Sequence, residues 1–292
     1  MGVVNTSPES FSDGNEVATV DRQLALAGKL LDDGADLLDV GGESGVTNQA
    51  ALTPDQELRR VLPLVRELTA AGKLVSVDTW KPPVAAAVLD AGALMINDVS
   101  GLADPTLADL CAAHGAGLVV MHTRAAPKVK GFPAYDDVVE DVVEFLTERV
   151  ATALDRGVRP EQLVLDPGPD FAKTPAQTVA VLRSLPMLAA QSRPILLAVS
   201  RKDFIGALTN RRPRQRLAGT LAALGEGVDA GAAIVRVHDV ADVVDFLAVR
   251  RALRGEIDVP AELHLPEHLR REPRLTSPTH DTPGIRDGHT VH

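Results

Sequence analysis

DRQLALAGKLLDDGADLLDVGG, residues Asp21 to Gly42, holds one complete structural unit. Leu24, Ala27, Leu30 and Leu31 recur at helical spacing, Gly34 stops the helix, and the apolar run that follows, LLDV, reads as a short strand. That strand carries a carboxylate, Asp39, which is costly to bury unless it is paired.

The unit repeats along the chain. VVN ends in Asn5. Thr53 and Pro54 read as the N-cap and first residue of a helix through Ala71, after which VSVD ends in Asp78. PPVAAAVLDAG leads to LMIND with Asn97, and PTLADLCAAHGAG to LVVMH with Met121 and His122. The amphipathic stretch from Asp136 to Arg156 leads to QLVLD with Asp166, and PAQTVAVLRSL to PILLAVSRK with Lys202. Arg214 to Asp229 leads to AAIVRVH with Arg236 and His238, and DVADVVDFLAVRRAL closes the series. Eight strands alternating with eight helices, with no long linker, predict an α/β fold, a single-domain (β/α)8 TIM barrel whose strand-end polar groups share one mouth. A doubly wound open sheet is the runner-up; it would gather ligand residues at one switch point, whereas here they follow nearly every strand.

The barrel is expected over residues 1–255, starting directly at the first strand. Residues 256–292 form a C-terminal extension that lacks apolar periodicity and is expected to be disordered from about residue 266. The 292 residues are 45% hydrophobic, enough for a large core, and carry a formal charge of −10 from 30 basic and 40 acidic residues. An acidic balance with 3% aromatics argues against a nucleic-acid surface, which needs basic patches and stacking rings. One cysteine, Cys111, excludes an intramolecular disulfide and a cysteine-cluster metal site, and reads as a small core residue. No apolar run reaches the roughly 20 residues that cross a membrane, so a cytoplasmic location with no membrane partner is the expectation.

NTSPESFSDGN (Asn5–Asn15), DVGGES (Asp39–Ser44), SVDT (Ser76–Thr79), INDVSG (Ile96–Gly101), MH at Met121, DPG at Asp166, SRKDFIG (Ser200–Gly206) and RVHDV (Arg236–Val240) occur in an order that resembles the dihydropteroate synthases. One such motif says little, but eight in register on eight strand ends are specific. The resemblance covers about residues 1–255. It implies a folate-pathway transferase, of a family targeted by sulfonamides, that joins a dihydropterin-methyl diphosphate to 4-aminobenzoate and releases diphosphate. It also implies a homodimer.

The resemblance assigns roles by position. Asp78, Asn97 and Asp166 match pterin-binding residues, Lys202 the lysine beside the pterin carbonyl and ring nitrogen, and Met121 a residue of the pocket floor. Carboxylates and an amide suit a pterin, whose guanidine-like edge donates hydrogen bonds. Arg236 and His238 match the diphosphate-binding pair and, with Lys202, the catalytic set, since cations stabilise the charge that grows on the leaving group. Asn5 matches a first-loop asparagine near diphosphate and Mg2+, an ion held mainly through substrate oxygens and water. Phe11 matches a residue covering the aminobenzoate side, and Asp203 falls on that side.

The chain also departs from the family pattern. Where Thr-Arg-Pro normally follows DVGGES, this chain has Gly45, Val46 and Thr47, so an arginine is missing. DPGPDFAKT carries Asp170 and Ala172 in place of two glycines, and Asp203 replaces the serine after SRK. If either glycine served a positive φ, a side chain there adds strain. Asp203 would set a carboxylate near that of 4-aminobenzoate. These departures favour a synthase homologue with weak or absent turnover over a fully active synthase. A pterin-binding methyl-transfer protein working with a corrinoid partner is a third reading, opposed by SFSDG, SRK and RVHD.

Overall fold

The computed structural model describes residues 1–6, 16–43 and 50–270. They fall into two compact units, one over Met1–Ala248 and the other from Val249 onward. The first is the barrel. Its elements run β1 (Gly2–Asn5), α1 (Glu16–Asp32), β2 (Leu38–Gly41), α2 (Pro54–Ala70), β3 (Val75–Asp78), α3 (Pro82–Asp90), β4 (Met95–Asp98), α4 (Thr106–His114) and β5 (Gly117–Met121). They continue as α5 (Val138–Asp155), β6 (Leu163–Asp166), α6 (Pro175–Arg183), α7 (Leu185–Ala189), β7 (Ile195–Leu197), α8 (Asp203–Thr209), α9 (Leu217–Asp229), β8 (Ala232–Val235) and α10 (Val240–Leu253).

The eight strands pair in chain order, each parallel to the next. A parallel bridge between Gly2 and Val237 brings the chain after β8 back to β1, with Val3 N donating to Val237 O and Val237 N to Met1 O. This closure removes the sheet edges and excludes the doubly wound alternative.

Strand side chains alternate between two apolar layers. Val4, Leu38, Val40, Val75, Val77, Ile96 and Leu118 join the helices in the large core outside the sheet. Met1, Met95, Val119, Val164, Leu196 and Ala198, with Leu37 and Ile234, form a separate cluster inside the barrel. Because the strand period is two, the residue two positions beyond each interior residue also points inward. Beyond Leu37, Met95, Val164 and Ile234 those residues are Asp39, Asn97, Asp166 and Arg236. The apolar cluster is therefore the floor on which a polar layer rests.

Most helix starts follow their sequence signals. Thr53 and Thr174 each close a capping box with the glutamine three residues on, and a proline holds the first helical position of α2 and α6. Asp137 caps α5 by accepting from Val139 N and Glu140 N. Cys111 is fully buried, and burial pushes its thiol up to about 12. The region around β7 differs from expectation. Pro186 opens α7, because a proline cannot extend α6 through its missing N–H. β7 is only three residues long, and Lys202 follows a turn in which Arg201 has φ +60° and donates its amide to Thr220 Oγ1. Lys202 is thus the N-cap of a separate helix, α8, rather than a strand end. A turn of 3-10 helix at Pro213–Gln215 precedes α9, which starts at Leu217 and not at Arg214.

In the second unit the described residues are mostly exposed, with a 3-10 turn at Glu267–Leu269 and an Arg254–Glu256 ion pair. Residues 271–292, expected as a disordered tail, lie outside the described residues.

Candidate active site

Asp39 organises the mouth. It is fully buried: Oδ1 accepts from Ser76 Oγ at 2.7 Å, and Oδ2 accepts from Asn97 Nδ2 at 3.1 Å and from Arg236 Nε at 2.6 Å. Four strands or strand ends thereby meet at one carboxylate. Arg236 also donates from Nη2 to Asp78 Oδ2 at 3.1 Å. Burial, joined by repulsion from Asp39, Glu57 and Asp98, pushes the Asp78 carboxyl up to about 7 against the pull of Arg236. Asn5 stands beside them across Gly41, where an added Cβ would meet Asp78 Cβ at 3.6 Å and Asn5 Oδ1 at 3.7 Å.

Asn97 is 3% exposed, and with Nδ2 committed to Asp39 its Oδ1 is buried without a protein partner. A buried acceptor left unmatched is expensive unless a ligand donor meets it. Asp166 is equally buried. Burial raises its pKa, while the Gly168 amide, donating to Oδ1 at 2.7 Å, and the nearby Lys202 act in the opposite direction. Met121, 1% exposed, pairs in register with Asp166 and closes the floor beside it.

Lys202 reaches the same space from its turn. Its Nζ lies 4.2 Å from the centre of the Phe171 ring, and burial lowers its pKa against the carboxylates of Asp170, Asp166 and Asp78. His238 follows Arg236 by two residues; its Nδ1 is 3.0 Å from Ser200 Oγ, which also accepts the His238 amide. Burial, helped by Arg236, pushes the imidazole down to about 4, so it is neutral near pH 7.

Asn5, Asp78, Asn97, Asp166, Lys202, Arg236, His238 and Met121 therefore converge at the ends of different strands. Asp203 does not turn inward. Its side chain is 80% exposed at the first turn of α8 and accepts from Arg216 Nη1 at 2.9 Å. Phe11 and the altered loop, Gly45 to Gln49, lie outside the described residues.

Three groups escaped sequence reasoning as site components. Asp39 was visible as a polar strand residue, but its partners are 37 to 197 positions away. Lys173 looked like an ordinary residue of the DPGPDFAKT loop, yet it is 1% exposed and donates to Gly168 O, Phe171 O and His122 Nδ1. Its burial pushes the ammonium down to about 7. His122 passes the contact on to Asp141, which Arg124 holds from Nε and Nη2. At the rim, Lys81 pairs with Glu57 and, at 2.7 Å, with Glu43, which Lys128 approaches at 3.4 Å.

Comparison with known proteins agrees with this geometry. The family model described as "Pterin binding enzyme" matches residues 1–238. The dihydropteroate synthase of Bacillus subtilis is 39% identical over 255 residues, 87% of each chain. The structure of Xanthomonas albilineans dihydropteroate synthase with 4-aminobenzoic acid superposes with a TM-score of 0.82 at 43% identity, covering 89% of this chain and 93% of that one. A dihydropteroate synthase structure from Clostridium difficile, obtained in the presence of pteroic acid, gives 0.82 at 36% identity, with 87% and 95% covered. The chain belongs to the pterin-binding enzyme family and is a homologue of the dihydropteroate synthases.

Proposed function

We propose that the protein binds a dihydropterin-methyl diphosphate in the barrel mouth and condenses it with 4-aminobenzoate, forming dihydropteroate and releasing diphosphate. The observation that carries this reading is the unmatched acceptor of Asn97, buried in register with Asp78 and in the same inward-facing polar layer as Asp166. Such a floor calls for a ligand edge rich in N–H donors, which the aminopyrimidine edge of a pterin supplies, while Lys202 donates to its carbonyl side.

In the reaction the arylamine nitrogen attacks the methylene carbon. The carbon–oxygen bond breaks toward diphosphate, and the new secondary amine gives up a proton to water. An arylamine is neutral near pH 7, so the site needs no strong base. It needs charge stabilisation at the leaving group. Arg236 has five N–H donors, of which the contacts to Asp39 and Asp78 use two. The remaining donors, and Nε2–H of a neutral His238 whose Nδ1 accepts from Ser200, are the protein's contribution. Asn5 offers an amide oxygen to Mg2+, which when bound adds positive charge against the developing diphosphate.

Turnover is lower than in a homologue with the complete second loop, because Gly45–Gln49 carry no arginine. The protein works as a cytoplasmic homodimer, in keeping with the family resemblance; among the described residues no helix is long and apolar enough to cross a membrane. The test is dihydropteroate formation by the purified chain with both substrates and Mg2+. No product together with no pterin binding by calorimetry would overturn the reading, whereas pterin binding with slow turnover is the expected result.

A further inference from the structure

The loop after β6 carries an aspartate where the backbone is left-handed. Asp170 has φ +63°, a region that costs an L-residue energy but that aspartate tolerates better than most. The side chain is fully engaged there. Oδ1 accepts from Thr178 Oγ1 at 3.1 Å, and Oδ2 accepts from the Phe204 amide at 3.1 Å, while the Asp170 amide donates to Thr178 Oγ1. Phe204 lies two residues beyond Lys202, and Phe171, next to Asp170, is the ring under the Lys202 ammonium. The carboxylate thus ties the loop after β6 to α6 and to the first turn of α8, which Lys202 caps.

Resting on the pterin-site reading, we infer that Asp170 is a positioning residue: it docks the loop after β6 onto α8 and adds its negative charge to those facing Lys202 at the pterin site. The charges facing Lys202 support this. Asp166 at the end of β6 and Asp78 at the end of β3 attract it, and Arg236 after β8 and Lys173 in the β6–α6 loop repel it. Asp166 and Asp78 are themselves carboxyls raised by burial. Asp170 attracts it as well, from beside the Phe171 ring that lies under the ammonium. A glycine at this position would satisfy the backbone and leave Lys202 without that partner.

The test is the pH dependence of Lys202 acylation by acetic anhydride in the ligand-free chain, read by peptide mass spectrometry, in the parent, D170N and D170G. Asparagine keeps an acceptor for the Phe204 amide and removes the charge; glycine removes both but fits the φ without strain. In both variants the reactivity midpoint of Lys202 moves to lower pH than in the parent, with the D170N thermal midpoint unchanged. At pH 8, D170N binds the dihydropterin-methyl diphosphate roughly two- to fivefold more weakly. An unchanged Lys202 midpoint in D170N overturns the inference. Because that readout needs no ligand, a parent chain that fails to bind pterin would sink the functional reading and still leave this one decided.

Discussion

Arg236 donates from Nε to Asp39 at 2.6 Å, joining the residue that follows the last strand to the interior of the second. The pair sits above the apolar floor and also orients Asn97, whose amide shares Asp39 Oδ2. One buried carboxylate therefore supports both the closure of the barrel and the pterin-side amide.

Asp39→Ala leaves a guanidinium that is 18% exposed short of one partner and frees Ser76 and Asn97. Removing the fully buried member of such a pair costs about 3 kcal/mol of stability. Urea denaturation at pH 7 should show that loss, and weaker pterin binding should accompany it because Asn97 loses its orientation. A variant as stable as the parent would show that Asp78 alone satisfies Arg236.

Asp166→Ala should abolish pterin binding and keep the fold. Asp166 takes the Gly168 amide at 2.7 Å and sits in the polar layer above the apolar floor, outside the main core, so affinity suffers more than stability. A charged hydrogen-bonding group is worth about 3 kcal/mol, a loss of more than a hundredfold in affinity. Calorimetry with undiminished affinity would remove Asp166 from the pterin site.

His122 should contribute a pH-dependent part of stability. Its imidazole is pushed down to about 4, chiefly by burial and then by Lys173, from an unfolded value near 6.5. As pH falls through 6.5 the unfolded chain takes up this proton first. Stability is therefore lost between about pH 6.5 and 4, by up to roughly 3 kcal/mol. His122→Asn removes the titration, so its stability should fall less steeply than the parent's over that window. Parallel curves from denaturation at pH 4 to 7 would contradict the burial argument.

The departures from the family pattern should separate in their effects. Asp203→Ser alone should change turnover little, since Asp203 is 80% exposed and paired with Arg216. Placing Thr-Arg-Pro at Gly45–Thr47 should raise turnover by as much as a hundredfold, the value of one transition-state contact of about 3 kcal/mol. Steady-state rates with both substrates decide this. An increase from Asp203→Ser and none from the loop would reverse the assignment.

Local signals in the chain determined the order of elements, their approximate ends and the identity of the polar residue near each strand end. Period-two and period-3.6 patterns, proline and threonine caps, and glycine stops act over a few residues, so they are readable without a fold. That is why α2, α5 and α6 begin where Thr53, Asp137 and Thr174 place them. The brevity of β7 escaped this reading, because ILLAV is apolar throughout and the turn depends on Thr220, 19 residues beyond Arg201. Tertiary structure alone decided what each polar residue touches. Asp39 became the centre of the mouth through partners on two other strands and just after the last, Lys173 became a buried ammonium under its own loop, and Asp203 turned outward to Arg216. Asp170, which looked like strain at a glycine position, gained two hydrogen bonds that only α8 and α6 could supply. Pairing and burial depend on distance in space, and the barrel brings together residues that the chain keeps up to 197 positions apart.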